Sequence, residues 1–259
     1  MLKRERLITI KSLVEKKGIV TVSEIGETLG VSTMTVRRDL DELAAENALI
    51  RIHGGAQSRG LAHMPERSHD EKRQLEVPAK TAIARLAADM IDDGDTIFIG
   101  SGTTLELIAP YIEATDVRFI TNALQVFESF QRLGRRVDLQ LIGGTYRARS
   151  GAFVGSLANE VLERLRFDKA FVGANGINKE LITTTSPEEG QTLRIALKNA
   201  HATFVVCDHS KLDQQDFYTF YTLDQISGLI TDDGADEAAL APYAALTTVH
   251  TAMTPKQGA

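Results

Sequence analysis

Apolar residues in the first fifty positions recur at helical spacing in three consecutive stretches. In residues 2–17 they stand three and four positions apart, and Gly18 ends the run, which predicts a helix with one buried face. A second helix is predicted to start at residues 21–23 and a third after Ser32. The turn that would join them is about three residues long, the connection typical of a helix-turn-helix motif.

The third predicted helix buries Val36, Leu40 and Leu43 and leaves its first turns polar. Ser32 can cap this helix by accepting from a free backbone N–H. An arginine can donate twice to guanine, and a threonine can contact a phosphate or a thymine methyl. We therefore predict that this helix reads the major groove of DNA. Its predicted contact residues are Ser32, Thr33, Thr35, Arg37 and Arg38.

Arg37 and Arg38 also have an alternative role. Asp41 and Glu42 stand four positions after them, so each arginine could form a surface ion pair within its own helix. Such pairs stabilise a helix by only about 0.2–0.5 kcal/mol, whereas a good base contact is worth about 1–3 kcal/mol. We favour contact with DNA for at least one of the two arginines.

A hairpin is predicted over residues 47–56, with apolar strand positions between 49 and 52 and a turn at Gly54-Gly55. Arg51 and His53 alternate with the apolar positions, which puts both on one polar face of the hairpin. Such a hairpin would form a wing, with Arg51 and His53 against the DNA backbone.

Hydrophobic periodicity stops at residue 57 and resumes near residue 80, and the stretch between is rich in charge. This composition is typical of a linker, here one that could end in a short helix. The sequence therefore predicts three parts. They are an α+β winged helix-turn-helix domain over residues 1–58, a linker over 59–79 and an effector domain over 80–259.

From Lys80 onward, helical stretches alternate with short runs of Val, Ile and Phe. Continuous apolar strands separated by helices predict an α/β domain with a mostly parallel sheet that is covered on both faces. A helix is predicted over residues 83–91, and the Thr/Val part of 235–259 would supply a last strand. The predicted sheet strands are residues 95–100, 117–122, 137–144, 169–174, 202–208 and 226–233.

Polar residues collect where these strands end, the edge of an open parallel sheet at which ligands bind. The first strand runs into residues 101–104 and then a predicted helix over 105–112, whose free N–H groups suit a phosphate. Hydroxyl and amide groups at the other ends suit sugar hydroxyls, and basic residues supply countercharge. Each of these residues could instead cap a helix or turn. The candidate effector-binding residues are Ser101, Gly102, Thr103, Thr104, Thr121, Asn122, Gly143, Arg147, Asn175, Glu189, Lys198, Asp208 and Lys211.

An enzymatic interpretation uses the same region. Asp168, Glu189 and Asp208 could act as general bases on a sugar phosphate, with a lysine polarising its carbonyl. Nothing in the spacing pairs these carboxylates on one element, and each has a structural role at a strand or helix end. We therefore expect a binding domain without catalytic residues, with a sugar-phosphate isomerase or deaminase as the alternative.

The chain of 259 residues is long enough for one small and one medium domain. Its net charge of −6 conceals an asymmetry. Residues 1–60 hold ten Lys/Arg against eight Asp/Glu, whereas the rest holds nineteen against twenty-seven. A slightly basic N-terminal part followed by an acidic remainder fits a DNA-binding domain joined to a domain that does not bind DNA.

Cys207 is the only cysteine, so no intrachain disulfide can form, and its apolar neighbours predict a buried thiol. The six histidines show no metal-ligand spacing, so we expect neither a metal nor a cofactor. The sequence has no run of about 18 apolar residues and no apolar signal-peptide core. We therefore expect a cytoplasmic protein without membrane contact.

Short motifs in both halves of the chain carry a family resemblance. In the head they are Val31-Ser32, Thr35-Val36-Arg37-Arg38-Asp39-Leu40 and Arg51-Ile52-His53-Gly54-Gly55-Ala56. In the body they are Asp93-Gly94-Asp95-Thr96-Ile97, Ser101-Gly102-Thr103-Thr104, Thr121-Asn122-Ala123, Gly143-Gly144, Gly173-Ala174-Asn175-Gly176-Ile177 and Asp208-His209-Ser210-Lys211. Together these motifs resemble the DeoR family of bacterial transcriptional repressors over nearly the whole chain.

The resemblance implies an N-terminal winged helix-turn-helix and a C-terminal effector domain similar in fold to ribose-5-phosphate isomerase. It also implies a phosphorylated sugar as effector, whose binding releases the operator. The segments HDEK (69–72), FIGSGTTLELIA (98–109) and ALKNA (196–200) look most like the lactose phosphotransferase system repressors of that family. Those repressors respond to a ketohexose phosphate such as tagatose 6-phosphate.

Two positions depart from the family pattern near the expected site. Gly190 stands where relatives more often carry Ala, and Leu212 stands where a small turn residue is common. Both departures bear on which sugar phosphate the site accepts. Since one winged domain covers about one half-site of DNA, we also expect a homo-oligomer, either a dimer or a tetramer.

Overall fold

The computed structural model describes residues 3–17, 19–52, 55–58, 67–133 and 137–255. The chain divides into two compact units, Met1–Glu66 and Arg67–Ala259. The stretch predicted as a linker is therefore divided, because residues 67–79 belong to the second unit. No helix within the described ranges combines the length and the apolar character needed to cross a bilayer.

In its described residues, the first unit has three helices and a small antiparallel sheet. Its elements are α1 (Lys3–Lys17), β1 (Ile19–Thr21), α2 (Val22–Leu29), α3 (Thr33–Ala45), β2 (Leu49–Ile52) and β3 (Gly55–Ser58). The strand order is β1-β3-β2, and both pairings are antiparallel. This arrangement confirms the predicted winged helix-turn-helix.

Local caps determine where the helices of the first unit begin and end. Thr21 and Glu24 form a reciprocal capping box at the start of α2. Gly30 ends that helix in the left-handed conformation, with φ of 64°. Ser32 then caps α3 as predicted, by accepting from the N–H of Thr35. The buried core of the unit includes Ile10, Val14, Val20, Ile25, Val36, Leu40, Leu43 and Leu49.

The wing differs from its prediction in one respect. Gly55 pairs with Ile52 inside the ladder of β2 and β3, so the predicted Gly54-Gly55 turn is wrong at Gly55; Gly54 lies outside the described residues. A Cβ on Gly55 would stand 2.3 Å from the carbonyl oxygen of Val20. Gly55 therefore allows β3 to lie close to β1, a strand that the sequence analysis missed.

The second unit is built on a seven-stranded parallel sheet, which confirms the predicted α/β class. Its order is β15-β14-β12-β9-β4-β5-β6, and every neighbouring pair is parallel. The strands are β4 (Thr96–Ile99), β5 (Arg118–Thr121), β6 (Asp138–Leu141), β9 (Phe167–Gly173), β12 (Ala200–Val206), β14 (Gly228–Asp232) and β15 (Thr248–Ala252).

Helices and turns cover both faces of this sheet. They are α4 (His69–Arg73), α5 (Val77–Ala88), α6 (Leu124–Gln131), α7 (Ser156–Glu163), α8 (Pro187–Lys198) and α9 (Glu237–Ala244). Neighbouring strand residues face opposite layers. Ile97 and Ile99 join the apolar cluster that contains α5 and α6, whereas Phe98 joins the cluster of α7, α8 and α9. Alternation along each strand thus builds two cores.

Two parts of the second unit depart from the sequence prediction. The helix predicted over 105–112 is a pair of 3₁₀ turns, Leu105–Leu107 and Ala109–Tyr111, with Pro110 inside the second. Proline lacks the N–H that a continuous helix needs. Additional short strands were also missed. They are the hairpin of β7 (Thr145–Arg147) with β8 (Ala152–Val154), and the sheet of β10 (Gly176–Asn178), β11 (Leu181–Thr184) and β13 (Tyr218–Thr222).

Candidate functional site

Helix α3 presents Arg37 and Arg38 to solvent, away from its buried residues. The acidic residues four positions on are paired elsewhere. Asp41 accepts from Arg51 Nε at 2.7 Å, and Glu42 Oε2 lies 2.6 Å from Lys3 Nζ. Neither arginine therefore forms the alternative ion pair within its own helix in the described structure. Both guanidinium groups remain available for an external anion.

The hydroxyl residues at the start of α3 have two different roles. Ser32 Oγ accepts from the backbone N–H of Thr35 at 3.3 Å, and the two side-chain oxygens lie 2.9 Å apart. Thr33 and Met34 are exposed beside them, and Met34 is 68% exposed. The start of the helix thus offers a hydroxyl, a large apolar side chain and two arginines, a combination that suits a base-lined groove.

Arg51 was predicted to touch the DNA backbone, but it holds the wing together. Its Nε donates to Asp41, and its Nη1 donates to the carbonyl oxygen of Gly55. These bonds link the wing strands to α3 and engage two of the five guanidinium N–H donors. His53, the other predicted wing contact, lies outside the described residues.

A buried ion pair that the sequence analysis missed fixes α3 on α1. Asp39 is 3% exposed and accepts from Arg6 at Nε and Nη2, at 2.5 and 3.0 Å. The hydrogen bond to Asp39 raises the pKa of Arg6. Paired donors on one carboxylate fix direction as well as distance. This pair orients the helix that carries Arg37 and Arg38.

The candidate effector site lies at the carboxyl edge of the parallel sheet. Because the strands run in register, the residues that follow them meet at this edge. Segment 101–104 follows β4, Thr121 ends β5, and Asn175 and Asp208 follow β9 and β12. The structure therefore brings together most of the strand-end residues that the sequence analysis selected.

Glu189 joins three distant segments at this edge. Ser101 Oγ donates to Glu189 Oε1 at 2.7 Å, and Arg147 Nη1 lies 3.5 Å from Glu189 Oε2. Ser186 caps α8 by accepting from the N–H of Glu189 at 3.3 Å, which fixes the first turn of the helix. Glu189 is thus a buried carboxylate that orients a hydroxyl and an arginine.

The loop between β4 and the first 3₁₀ turn, residues 101–104, has unsatisfied donors. Ser101, Thr103 and Thr104 are buried, yet none of the four backbone N–H groups donates to an acceptor in the described part of the chain. Gly102 has a φ of 154°. Backbone N–H groups that have no acceptor within the protein can donate to a bound anion.

Asn175 anchors a polar cluster that includes a residue from the predicted linker. Its Nδ2 donates to Thr185 Oγ1 at 2.6 Å and to Asp216 Oδ2 at 2.9 Å. Lys72 Nζ donates to Asn175 Oδ1 at 3.3 Å. Lys72, on α4, was missed because its sequence context has linker composition, which carries no signal for a site.

Lys80 is a second cation that the sequence analysis missed. It is 4% exposed, and its Nζ donates to the carbonyl oxygen of Lys72. Burial lowers the pKa of Lys80, while the charge of Asp208 acts in the opposite direction and that of Lys211 adds to the lowering. The signal in the sequence that could have identified Lys80 is its position among the alanines of α5. A poorly solvated cation favours an anionic partner.

The segment after β12 is held by its own carboxylates. Asp208 accepts from the N–H and the hydroxyl of Ser210, and Asp232 accepts from the N–H and Nδ1 of His209, both at 2.7 Å. Lys211 Nζ lies 3.3 Å from Ser210 Oγ. Asp208 therefore shapes the turn that presents Lys211.

At the ends of β5 and β6 the predicted site residues differ in how many hydrogen bonds they make with other described residues. Thr121 Oγ1 accepts from the N–H of Ala123 at 3.0 Å. Asn122 Nδ2 donates to the carbonyl of Phe153 at 2.9 Å, while its buried Oδ1 has no hydrogen-bond partner among the described residues. Gly143 is exposed, and nothing lies within 4 Å of its notional Cβ. Asn122 thus retains one free acceptor.

One expectation for the effector site is corrected. Lys198 is the last residue of α8, and the next residue, Asn199, accepts from the N–H of Phe167 at the start of β9. Lys198 therefore lies near the amino edge, away from residues 101–104. Asp168 also lies at that edge, where it accepts from the N–H of Thr96 at 2.8 Å. The three carboxylates of the enzymatic alternative do not meet.

Two family models match this chain. A model described as the DeoR-like helix-turn-helix domain matches residues 6–60, and one described as the DeoR C terminal sensor domain matches residues 75–233. Two similar proteins are both called lactose phosphotransferase system repressor. The one from Streptococcus mutans is 42% identical over 92% of this chain and 95% of its own length. The one from Staphylococcus aureus is 42% identical over 90% and 93%.

Solved structures show weaker likeness. A ribose 5-phosphate isomerase from Methanocaldococcus jannaschii is 21% identical with a TM-score of 0.37, covering 51% of this chain and 53% of its own. The delta subunit of eIF2B from Chaetomium thermophilum is 17% identical with a TM-score of 0.44, covering 61% and 56%. Similarity at this level says nothing about activity.

Proposed function

The chain belongs to the DeoR family, and on this premise we propose that it is a transcriptional repressor whose operator binding is controlled by a phosphorylated sugar. The first unit reads the operator and the second senses the effector. The names of the relatives support a gene set for lactose uptake and breakdown. The proposal makes the protein a regulator and assigns no catalytic residue.

The observation that carries the sensor assignment is the loop over residues 101–104. No backbone N–H of residues 101–104 donates to an acceptor in the described part of the chain, and Glu189 orients the hydroxyl of Ser101 in the same loop. Lys80 supplies a buried positive charge near Asp208 and Lys211. A phosphate accepts hydrogen bonds from such N–H groups and gains from such charge.

The sugar part of the ligand would meet neutral groups on the neighbouring strand ends. Asn122 Oδ1 is a buried acceptor without a donor among the described residues, and a sugar hydroxyl supplies that donor. Ketohexose phosphates, tagatose 6-phosphate in particular, are the proposed effectors because the chain is 42% identical to repressors named for the lactose phosphotransferase system.

Operator binding is proposed to need at least two copies of the chain. One winged helix-turn-helix covers about one half-site, and two heads bound to one operator must keep a set spacing. A dimer or tetramer held by the second unit would set that spacing. Effector binding would then change the operator affinity by the usual allosteric factor, about 5–150-fold.

The test is a panel of phosphorylated ketoses and aldoses applied to the full-length protein. We expect a ketohexose phosphate to raise the melting temperature and to release a labelled operator fragment in a gel-shift titration, without turnover. Inorganic phosphate and the unphosphorylated sugars serve as controls. Conversion of any sugar phosphate on the timescale of binding would favour the isomerase or deaminase alternative.

The site assignment is tested separately with Thr103→Ala. We expect this variant to fold and bind the operator but to need about tenfold more sugar phosphate for release, because it loses a hydroxyl in the phosphate loop. Thr251→Ala, an exposed threonine on β15, is the matched control. An unaltered response of Thr103→Ala in a promoter reporter would place the ligand elsewhere.

A further inference from the structure

Glu106 is a buried carboxylate placed between two basic residues of helix α4. It is 5% exposed, with Oε2 3.2 Å from His69 Nε2 and Oε1 3.0 Å from Arg73 Nε. His69 is itself buried, whereas the side chain of Arg73 is 54% exposed. One carboxylate therefore lies within ion-pair distance of both ends of a five-residue helix, although its Oε1 accepts no hydrogen bond among the described residues. We call His69, Arg73 and Glu106 the α4 clamp.

The same residue is attached to the candidate phosphate loop through its backbone. The N–H of Glu106 donates to the carbonyl oxygen of Gly102 at 3.1 Å, and Leu105, between the loop and Glu106, is completely buried. This hydrogen bond and the buried Leu105 attach the backbone of Glu106 directly to the loop 101–104.

Helix α4 cannot adjust independently when that carboxylate moves. Its Lys72 side chain donates to Asn175, and the carbonyl of Lys72 accepts from Lys80. A capping box between Ser68 and Glu71 fixes its start. A buried carboxylate that loses a cationic partner is strongly destabilised, so α4 has to follow Glu106 or break the clamp.

Helix α4 is also the first element of the second unit, and the chain preceding it leads from β3 of the DNA-binding unit. We propose that Glu106 is the positioning residue that couples the phosphate loop to α4 and thereby to the DNA-binding unit. The proposal rests on the proposed function, which supplies the effector. The contacts of Glu106 with α4 are those of the protein without effector.

The test variant is Glu106→Gln in the full-length protein, which keeps the side-chain shape and removes the charge. Glu128→Gln is the matched control, because Glu128 pairs with Arg132 on the surface of α6 and its side chain is 45% exposed. Two quantities are measured: the operator affinity without effector, and the ratio of operator affinities without and with a saturating ketohexose phosphate.

We expect Glu106→Gln to lower the operator affinity of the effector-free protein about tenfold. The ratio of operator affinities without and with the sugar phosphate should fall to within twofold of one. Its affinity for the sugar phosphate, measured by thermal shift, stays within about threefold, a combination that simple loss of stability does not produce. Glu128→Gln keeps the wild-type operator affinity and ratio. If the two variants behave alike in both quantities, the proposal is overturned.

Arg73 keeps the proposal testable if Glu106→Gln does not fold. Arg73→Gln, at a half-exposed position, is expected to lose the coupling, and Arg73→Lys, which keeps a cation, to retain it. Equal behaviour of these two variants would contradict the clamp. If the wild-type protein responds to no sugar phosphate, the effector assignment fails, and the effector-free operator affinities of the variants still decide the role of Glu106.

Discussion

At the scale of single residues, the role of a charged side chain depends on which partner it has in the folded chain. Arg37 and Arg51 both belong to motifs that suggested DNA contact. Asp41 and Gly55 engage Arg51, whereas Arg37 is exposed and has no partner among the described residues. An arginine without an internal partner is the one that can bind a phosphate or a guanine without first breaking a bond.

Arg37→Ala and Arg38→Ala are therefore expected to weaken operator binding, at least one of them by about 1–3 kcal/mol, the value of a good base contact. Arg164→Ala removes the same charge from a surface pair with Glu160 in the second unit and is expected to bind normally. The measurement is a gel-shift titration at fixed salt, with circular dichroism to verify folding. Wild-type affinity in both helix variants would remove α3 from the interface.

The thiol of Cys207 is expected to be unreactive in the folded protein. Burial raises its pKa, and the nearby charge of Asp208 acts in the same direction, so very little thiolate, the reactive form, exists at neutral pH. Ellman's reagent should label less than one-tenth of the protein in buffer and one thiol per chain in denaturant. Rapid labelling of the native protein would contradict the predicted burial.

Lys80→Met is expected to raise stability while weakening the response to effector. Burial lowers the folded-state pKa of Lys80, so its charged form is disfavoured by folding. That destabilisation is present below the folded-state pKa and disappears as pH rises toward the unfolded value. Removing the charge should add about 1 kcal/mol at pH 7, measured by urea unfolding. A gain that persisted unchanged above pH 11 would argue against this cause.

At the scale of secondary-structure elements, the contact between α8 and β13 accounts for a departure from the family pattern. Gly190 lies in the first turns of α8, where alanine is normally the better helix former. A Cβ at this position would stand 2.6 Å from Tyr218 Cδ1 and 2.9 Å from Phe220 Cβ. The glycine therefore lets β13 pack against the helix that carries Glu189.

Gly190→Ala is accordingly expected to destabilise the protein by about 1–3 kcal/mol, the usual cost of overpacking, despite the higher helix propensity of alanine. The double variant Gly190→Ala/Tyr218→Val should recover most of that loss, because it removes the ring that the new methyl meets. Chemical denaturation of the four proteins in this cycle measures the coupling. Additive effects of the two substitutions would contradict a direct contact.

At the scale of the whole molecule, the chain carries separate cores in its two units. The core of the first unit is formed by residues of α1, β1, α2, α3 and the wing. The two clusters of the second unit draw all their residues from positions after 66. Cores without shared residues allow each unit to unfold by itself, so the chain is not expected to behave as a two-state protein.

Differential scanning calorimetry should therefore show two transitions. The smaller core of the first unit predicts the lower melting temperature, because a small domain buries less of its surface. Operator DNA should raise mainly the lower transition and a ketohexose phosphate mainly the upper one, since a ligand stabilises the unit that binds it. A single transition that both ligands shift equally would contradict independent units.

Much of the architecture followed from short-range patterns. The helix starts at Thr21 and Ser32 are set by side chains three residues from the N–H groups they cap. The strands of the parallel sheet were visible as continuous apolar runs, because both faces of the sheet are covered. Segment 105–112 was mispredicted because its apolar pattern fits a helix while Pro110 and a tight backbone favour 3₁₀ turns.

The sequence by itself thus determined the class of both units, helix α3 with its two exposed arginines and the collection of polar residues at strand ends. Such features depend on periodicity, caps and turns within a few residues. Only the tertiary structure decided which charged groups are engaged, since the partners are 10 positions apart for Arg51 and Asp41 and 88 apart for Ser101 and Glu189. Pairing and desolvation act through space, so the roles of Lys80 and Glu106 became visible only once the fold had buried them.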